Sequence, residues 1–193
     1  PERRTGENAI SYHSDGVHRR GGRILTWSGR ALLSEHCPSE ITALQEVDGW
    51  IQRAVIGFNL CPFAHKVLRD GGISTSCHRV TRIEDAAEQT VLQAGALQKL
   101  SANRTHILVF LTGLSDFNVF LDAVELVELL LQSLGLDRDI QLAHFHPNYR
   151  FEGSDYNDVA NYSNRSPHPI IQLLQAEGVA EAVERHPDTL GIP

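Results

Sequence analysis

Cys61 stands directly before Pro62 in the stretch GFNLCPFAHKV, residues 57–67. Pro62 suits the first position of a helix, where its missing N–H removes nothing. A thiol at a helix N-terminus faces unpaired N–H groups and the positive end of the macrodipole, and both favour the thiolate. A second group of reactive side chains lies in IQLAHFH, residues 140–146. Strand alternation puts Leu142, His144 and His146 on one face and Ala143 and Phe145 on the other, near a carboxyl strand end where ligands collect in open α/β sheets. The loop beyond it supplies Asn161, Asn164, Arg165 and Ser166 ahead of a predicted final helix.

These residues admit three chemistries. In the first, Cys61 is a nucleophile with His146 or His65 as base, and Asn164 or Arg165 orients the imidazole or receives the developing oxyanion. Its alternative is a Cys61 that only packs as a small hydrophobe. In the second, Cys61, His65, His144 and His146 hold zinc, a ligand set that the metal accepts. No CxxC or HExxH pair supports it, and ten histidines produce chance spacings. In the third, Arg165, Asn164, Ser166 and Lys66 bind a small carboxylate or phosphate without further chemistry; in the alternative, Arg165 and Asn164 only tie down the long loop. The phosphate-loop patterns GxxxxGK[ST] and GxGxxG are absent and no cofactor is expected. Cys77 and His78 fall on opposite faces of a predicted strand.

The elements that must position these groups follow from periodicity. Ile41, Leu44, Val47, Ile51 and Val55 recur at steps of three and four, which predicts an amphipathic helix capped by Ser39 and stopped by Gly57. A short helix follows Pro62. Residues 73–80 alternate and read as an edge strand, 84–100 and 117–134 as helices, and THILVFLT, 105–112, as a strand covered on both faces. After the strand at 140–146 the polar, aromatic loop from Pro147 to Pro167 exceeds the usual connection length. Residues 170–174 are then read as the start of the last helix. Strands alternating with helices predict a single α/β domain with a small, mostly parallel three-stranded sheet flanked by helices. A split ferredoxin-like arrangement is the alternative.

At 193 residues, with 41% hydrophobic and 21% charged, the chain suits one domain, taken as residues 39–193, behind an irregular N-terminal extension, residues 1–38. No apolar run approaches the ~20 residues of a membrane span. A net charge of -7 opposes general nucleic-acid binding. The extension nevertheless carries Arg3, Arg4, Arg19, Arg20, Arg23 and Arg30 against Glu2, Glu7 and Asp15. Three cysteines without a CxxC pair suit a reducing compartment. The chain contains no Met, so the numbered sequence is expected to follow processing or to be a fragment.

NLCPFA at 59–64, FHPNYRF at 145–151 and NRSPHP at 164–169 together resemble a family of domains of unknown function found in bacteria and some eukaryotes. Its members carry GLNLCPFA, FHPxYxF and NYTNRSPYP blocks. The resemblance spans roughly residues 40–187. It implies a signature set of Cys61, Pro62, Phe63, His146, Pro147, Tyr149, Phe151, Asn164, Arg165, Ser166, Pro167 and Pro169, and implies no particular activity. Phe58, His65 and His168 depart from it, His168 standing where Tyr is typical. An Arg-rich extension on such a domain leads to the expectation of an accessory subunit, docked through residues 1–38 to other protein subunits in a mitochondrion or plastid. The alternatives are a bacterial or eukaryotic cytoplasmic protein, and a Cys/His enzyme acting on a small acidic metabolite.

Overall fold

The computed structural model describes residues 10–13, 17–20, 23–26, 38–61, 64–100 and 103–185, and before residue 39 only the backbone is described. Pro62 and Phe63, both used in the sequence reading, lie outside the described residues.

The sheet of the domain is mixed and has four strands, which corrects the expected three-stranded, mostly parallel sheet. In chain order these are β4 (Ile73–Arg79), β5 (Thr105–Thr112), β6 (Ile140–Phe145) and β7 (Ile170–Gln175). They lie side by side as β4-β5-β7-β6. Only β4 and β5 are parallel, with helix α3 (Ile83–Leu97) between them in the chain; β7 runs antiparallel to both β5 and β6. The ferredoxin-like alternative fails on element order, because β6 and β7 follow one another with only the long loop between them.

The misread element is IIQLLQ. A run of six apolar and amide residues fits either period, and Ile170 and Ile171 are β-branched residues that favour a pleated surface. The final helix, α5 (Ala176–Arg185), starts directly after it. The extension contributes β1 (Ile10–His13), β2 (Val17–Arg20) and β3 (Arg23–Thr26), which continue the sheet antiparallel beyond β4 where an irregular segment was expected.

Two helical layers cover the sheet. One face packs α3 and α4 (Phe117–Ser133) around Leu108, Phe110, Phe120 and Ile171. The Asp116 carboxylate caps α4 by accepting the N–H groups of Asn118 and Val119 at 2.8 and 3.1 Å. The other face packs α1 (Pro38–Trp50) over Ile73, Cys77, Ile107 and Val109. Where one helix is predicted through Val55, α1 widens into a π-helical turn, Ile51–Ile56, closed by the Gly57 N–H bonded to the Gln52 carbonyl at 3.1 Å. Such turns recur at functional sites. A six-residue helix, α2 (Ala64–Arg69), completes this layer. Among the described residues no helix is long and apolar enough to cross a membrane.

Candidate functional site

Residues at alternate positions of three strands leave one side of the sheet uncovered beside α1. Ile107 from β5, Leu174 and Gln172 from β7, and Ala143 and Phe145 from β6 form the floor of a cleft of about 520 Å³. Trp50, Ile51 and Val55 from α1 and the π turn form one wall, Leu60, Cys61, Ala64 and Val67 another. The Trp50 ring meets Phe145 edge-on with centroids 5.1 Å apart. The cleft runs along the strands: Thr105 pairs with Leu174 at one end and Phe145 with Ile170 towards the other.

Its two ends are polar. At the Thr105 end stand Arg104, Asn103, Gln175 and, from α2, Lys66. The Arg104 guanidinium donates to the Gly71 carbonyl at 3.0 Å, and Gln175 is fully engaged, its amide NH₂ donating to the carbonyls of Leu97 and Leu100 and its oxygen accepting the Arg104 N–H. Lys66 forms an exposed pair with Asp70 at 3.1 Å, and this hydrogen bond holds the Asp70 carboxyl below its usual range. At the Phe145 end stand Ser163 and Asn164. No Asp or Glu is among the described residues that line the cleft.

The predicted site residues divide between the two faces of the sheet. Cys61, Lys66 and Asn164 share the cleft. His146 does not: it is fully buried against Phe117 and Phe120 on the α4 side, with ring centroids 5.2 and 5.1 Å away. Its Nδ1 accepts the Asn148 N–H at 3.0 Å, so the proton sits on Nε2 and is donated to the Leu114 carbonyl at 3.1 Å. Burial also lowers its pKa. Both nitrogens of this neutral imidazole are engaged on the face away from Cys61, so the predicted Cys61–His146 pair is not brought together.

The predicted zinc quartet is likewise dispersed. His65 is exposed on α2, and His144 lies beside Phe120 and Tyr149 on the α4 face. Burial lowers the His144 pKa, and among the described residues its buried Nδ1 has no hydrogen-bond partner. Among the described residues no group of three or more His, Cys, Asp or Glu is placed to hold a metal ion.

Arg165 ties the loop. Its guanidinium lies between the rings of Tyr156 and Tyr162, 4.6 and 4.4 Å from their centroids, and donates to the carbonyls of Tyr149 and Tyr156. The Ser166 hydroxyl donates to the His168 carbonyl. Asn164 donates to the His144 carbonyl at 3.2 Å and accepts the Ser163 hydroxyl at 3.0 Å, so it fixes the loop while reaching the cleft. Trp50, Arg104 and Phe145 are lining residues that sequence reasoning missed as site residues. The alternation that separates Phe145 from His146 carries the signal, and the cleft lies on the Phe145 face rather than the expected histidine face.

The molecule is thus an α/β domain with a mixed sheet, helices on both faces and an apolar cleft opened between α1, α2 and the sheet. The chain belongs to the DUF1415 family of proteins of unknown function, whose sequence model matches residues 42–193. No curated protein and no solved structure matches it.

Proposed function

We propose that this domain binds a small amphipathic anion in the cleft, its apolar body along Ile107, Phe145 and Trp50 and its acidic group at the Arg104 end. One observation carries the reading: in a chain with 24 acidic and 17 basic residues, the described lining includes Lys66 and Arg104 and no carboxylate. A concave, largely apolar site with a few polar groups at its margin is the usual form of a small-molecule site. Cys61 then lines the wall against the ligand body, and the Arg165 loop serves the site by holding Asn164.

The probe for this reading is the amphipathic sulfonate 1-anilinonaphthalene-8-sulfonate. Binding at one site per chain is expected, lost in Ala143→Trp, which fills the floor, and weakened in Arg104→Glu. Probe occupancy is also expected to slow alkylation of Cys61. Equal binding by the wild type and Ala143→Trp at matched stability rejects the cleft.

A second reading, the accessory subunit docked through residues 1–38 in an organellar assembly, draws on β3. As the outermost strand of the sheet it offers an edge that a partner strand could extend. Native mass spectrometry of a gentle extract, with and without residues 1–38, tests it: association with a large complex that vanishes on truncation supports the reading, and a free chain in both cases ends it.

A further inference from the structure

On the sheet face opposite the cleft, β4 presents Ser74, Ser76 and His78 at alternate positions, and the parallel register sets Ser74 beside His106 of β5. Four groups join in one line. His78 Nε2 lies 2.7 Å from Ser76 Oγ, Ser76 Oγ lies 2.8 Å from His106 Nε2, and His106 Nδ1 lies 2.6 Å from Ser74 Oγ. The Ser74 hydroxyl reaches the Thr105 carbonyl at 3.3 Å, where the line ends. Ser76 is fully buried, His78 and His106 are 4% and 5% exposed, and Ser74 is the partly exposed member. The rest of this face is the apolar core under α3 and α4, so the array is not a surface cluster.

We propose that Ser74, His106, Ser76 and His78 form a proton relay with two concerted proton orders, in which the two imidazoles always carry opposite tautomers. Ser76 has one hydroxyl proton for two ring nitrogens. It donates to one and must accept from the other, so one ring presents Nε2–H to it and the other a bare Nε2. In one order His78 Nε2–H donates to Ser76, Ser76 to His106 Nε2, His106 Nδ1–H to Ser74, and Ser74 to the Thr105 carbonyl. In the reverse order Ser74 donates to His106 Nδ1, His106 Nε2–H to Ser76, and Ser76 to His78 Nε2. Of these four bonds the first order makes all and the second makes three, so the first is the resting order.

Conversion from the first order to the second takes up one proton from solvent water at His78 Nδ1 and releases one to solvent water from Ser74 Oγ. Between them one proton passes across each of the three internal hydrogen bonds. No heavy-atom bond changes and no group is oxidised or reduced. The array thus links a buried ring at one end of β4 to a partly exposed hydroxyl at the other.

The test is long-range proton–nitrogen correlation spectroscopy of the full chain labelled with ¹⁵N-histidine, with peaks assigned through His78→Asn and His106→Asn. In the wild type, His78 is expected as the Nε2–H tautomer and His106 as the Nδ1–H tautomer. Ser74→Ala removes the acceptor of His106 Nδ1–H within the array. Each order then keeps two bonds, so the preference for the first is expected to be lost and both rings to populate their two tautomers in matching proportion, although His78 does not touch Ser74. In Ser74→Ala/Ser76→Ala, His78 is expected to stop following His106. The same tautomer in both wild-type rings overturns the proposal, a result that needs no variant to fold. A His78 whose tautomer proportions fail to mirror those of His106 in Ser74→Ala overturns it equally.

Discussion

Acidification is expected to destabilise this protein through His78, and the size of the effect follows from its burial. Its imidazole, 4% exposed, has its pKa lowered from 6.5 to about 4 by desolvation of the charged form. For a histidine held neutral in the native state, the unfolded chain binds the extra proton first. The stabilising contribution is therefore whole above the unfolded value, falls as pH drops below it, and reaches its limit below about pH 4. At ~1.4 kcal/mol per pKa unit, the loss between about pH 7 and about pH 5 is ~2 kcal/mol. Urea unfolding of the wild type and of His78→Gln at both pH values measures it. Gln keeps an amide near the Ser76 hydroxyl and cannot titrate. The variant will be less stable at both pH values, but its drop between them is expected to be smaller than the wild type's by ~2 kcal/mol, or about 1 M in urea midpoint. His144 and His146 are shifted in the same direction and remain in both proteins, so the comparison reads His78 together with its array partner His106. Parallel stability–pH lines for the two proteins would refute the reasoning.

Three other outcomes are expected. Arg165→Ala removes a guanidinium held between two tyrosine rings and bonded to two carbonyls, and should destabilise by ~2–3 kcal/mol in urea; Arg165→Lys should recover little, since an ammonium cannot stack and fork in the same way. Asn161→Ala should lower stability by ~2–4 kcal/mol and open residues 150–160 to limited proteolysis, because the fully buried amide accepts from Phe151 N–H and the Ser154 hydroxyl and donates to the Asp155 carbonyl. Trp50→Phe keeps an aromatic ring against Phe145 but deletes the indole N–H donated to the Arg165 carbonyl at 3.0 Å; a loss of ~1 kcal/mol is expected, with weaker probe binding in the cleft it borders.

What the sequence disclosed depended on whether one period dominated. THILVFLT has a single reading and became β5, and the apolar stripe from Phe117 became α4 with its Asp116 cap. IIQLLQ has two readings, and only its place between β5 and β6 decides for a strand. The same limit governed the site. Alternation correctly separated His144 and His146 from Ala143 and Phe145, but which face carries α1 and which α4 is a tertiary fact. The imidazoles were therefore assigned to a site that the phenylalanine face forms. The alternation over residues 73–80 was legible as an edge strand, which puts Ser74, Ser76 and His78 on one face. The parallel register that brings His106 against them cannot be read from either strand alone.

The geometry also gives the NRSPHP block a physical task that needs no reaction. Trp50 on α1 donates to the Arg165 carbonyl, and His168 meets Glu46 of the same helix at 2.7 Å. The His146 N–H donates to the Asn164 carbonyl at 3.1 Å, which joins the end of β6 to the same block. These bonds hold α1, β6 and the loop in one frame, and that frame sets the width of the cleft where Asn164 closes it. A polar block that organises backbone in this way is sensitive to substitution without touching a ligand. The residues that line the cleft floor and wall are instead the ordinary apolar ones at Ile107, Phe145 and Trp50, whose types alone carry no functional signal. Assays of this domain are therefore best aimed at the cleft itself, at Cys61 and the Arg104 end, rather than at the buried histidines behind the sheet.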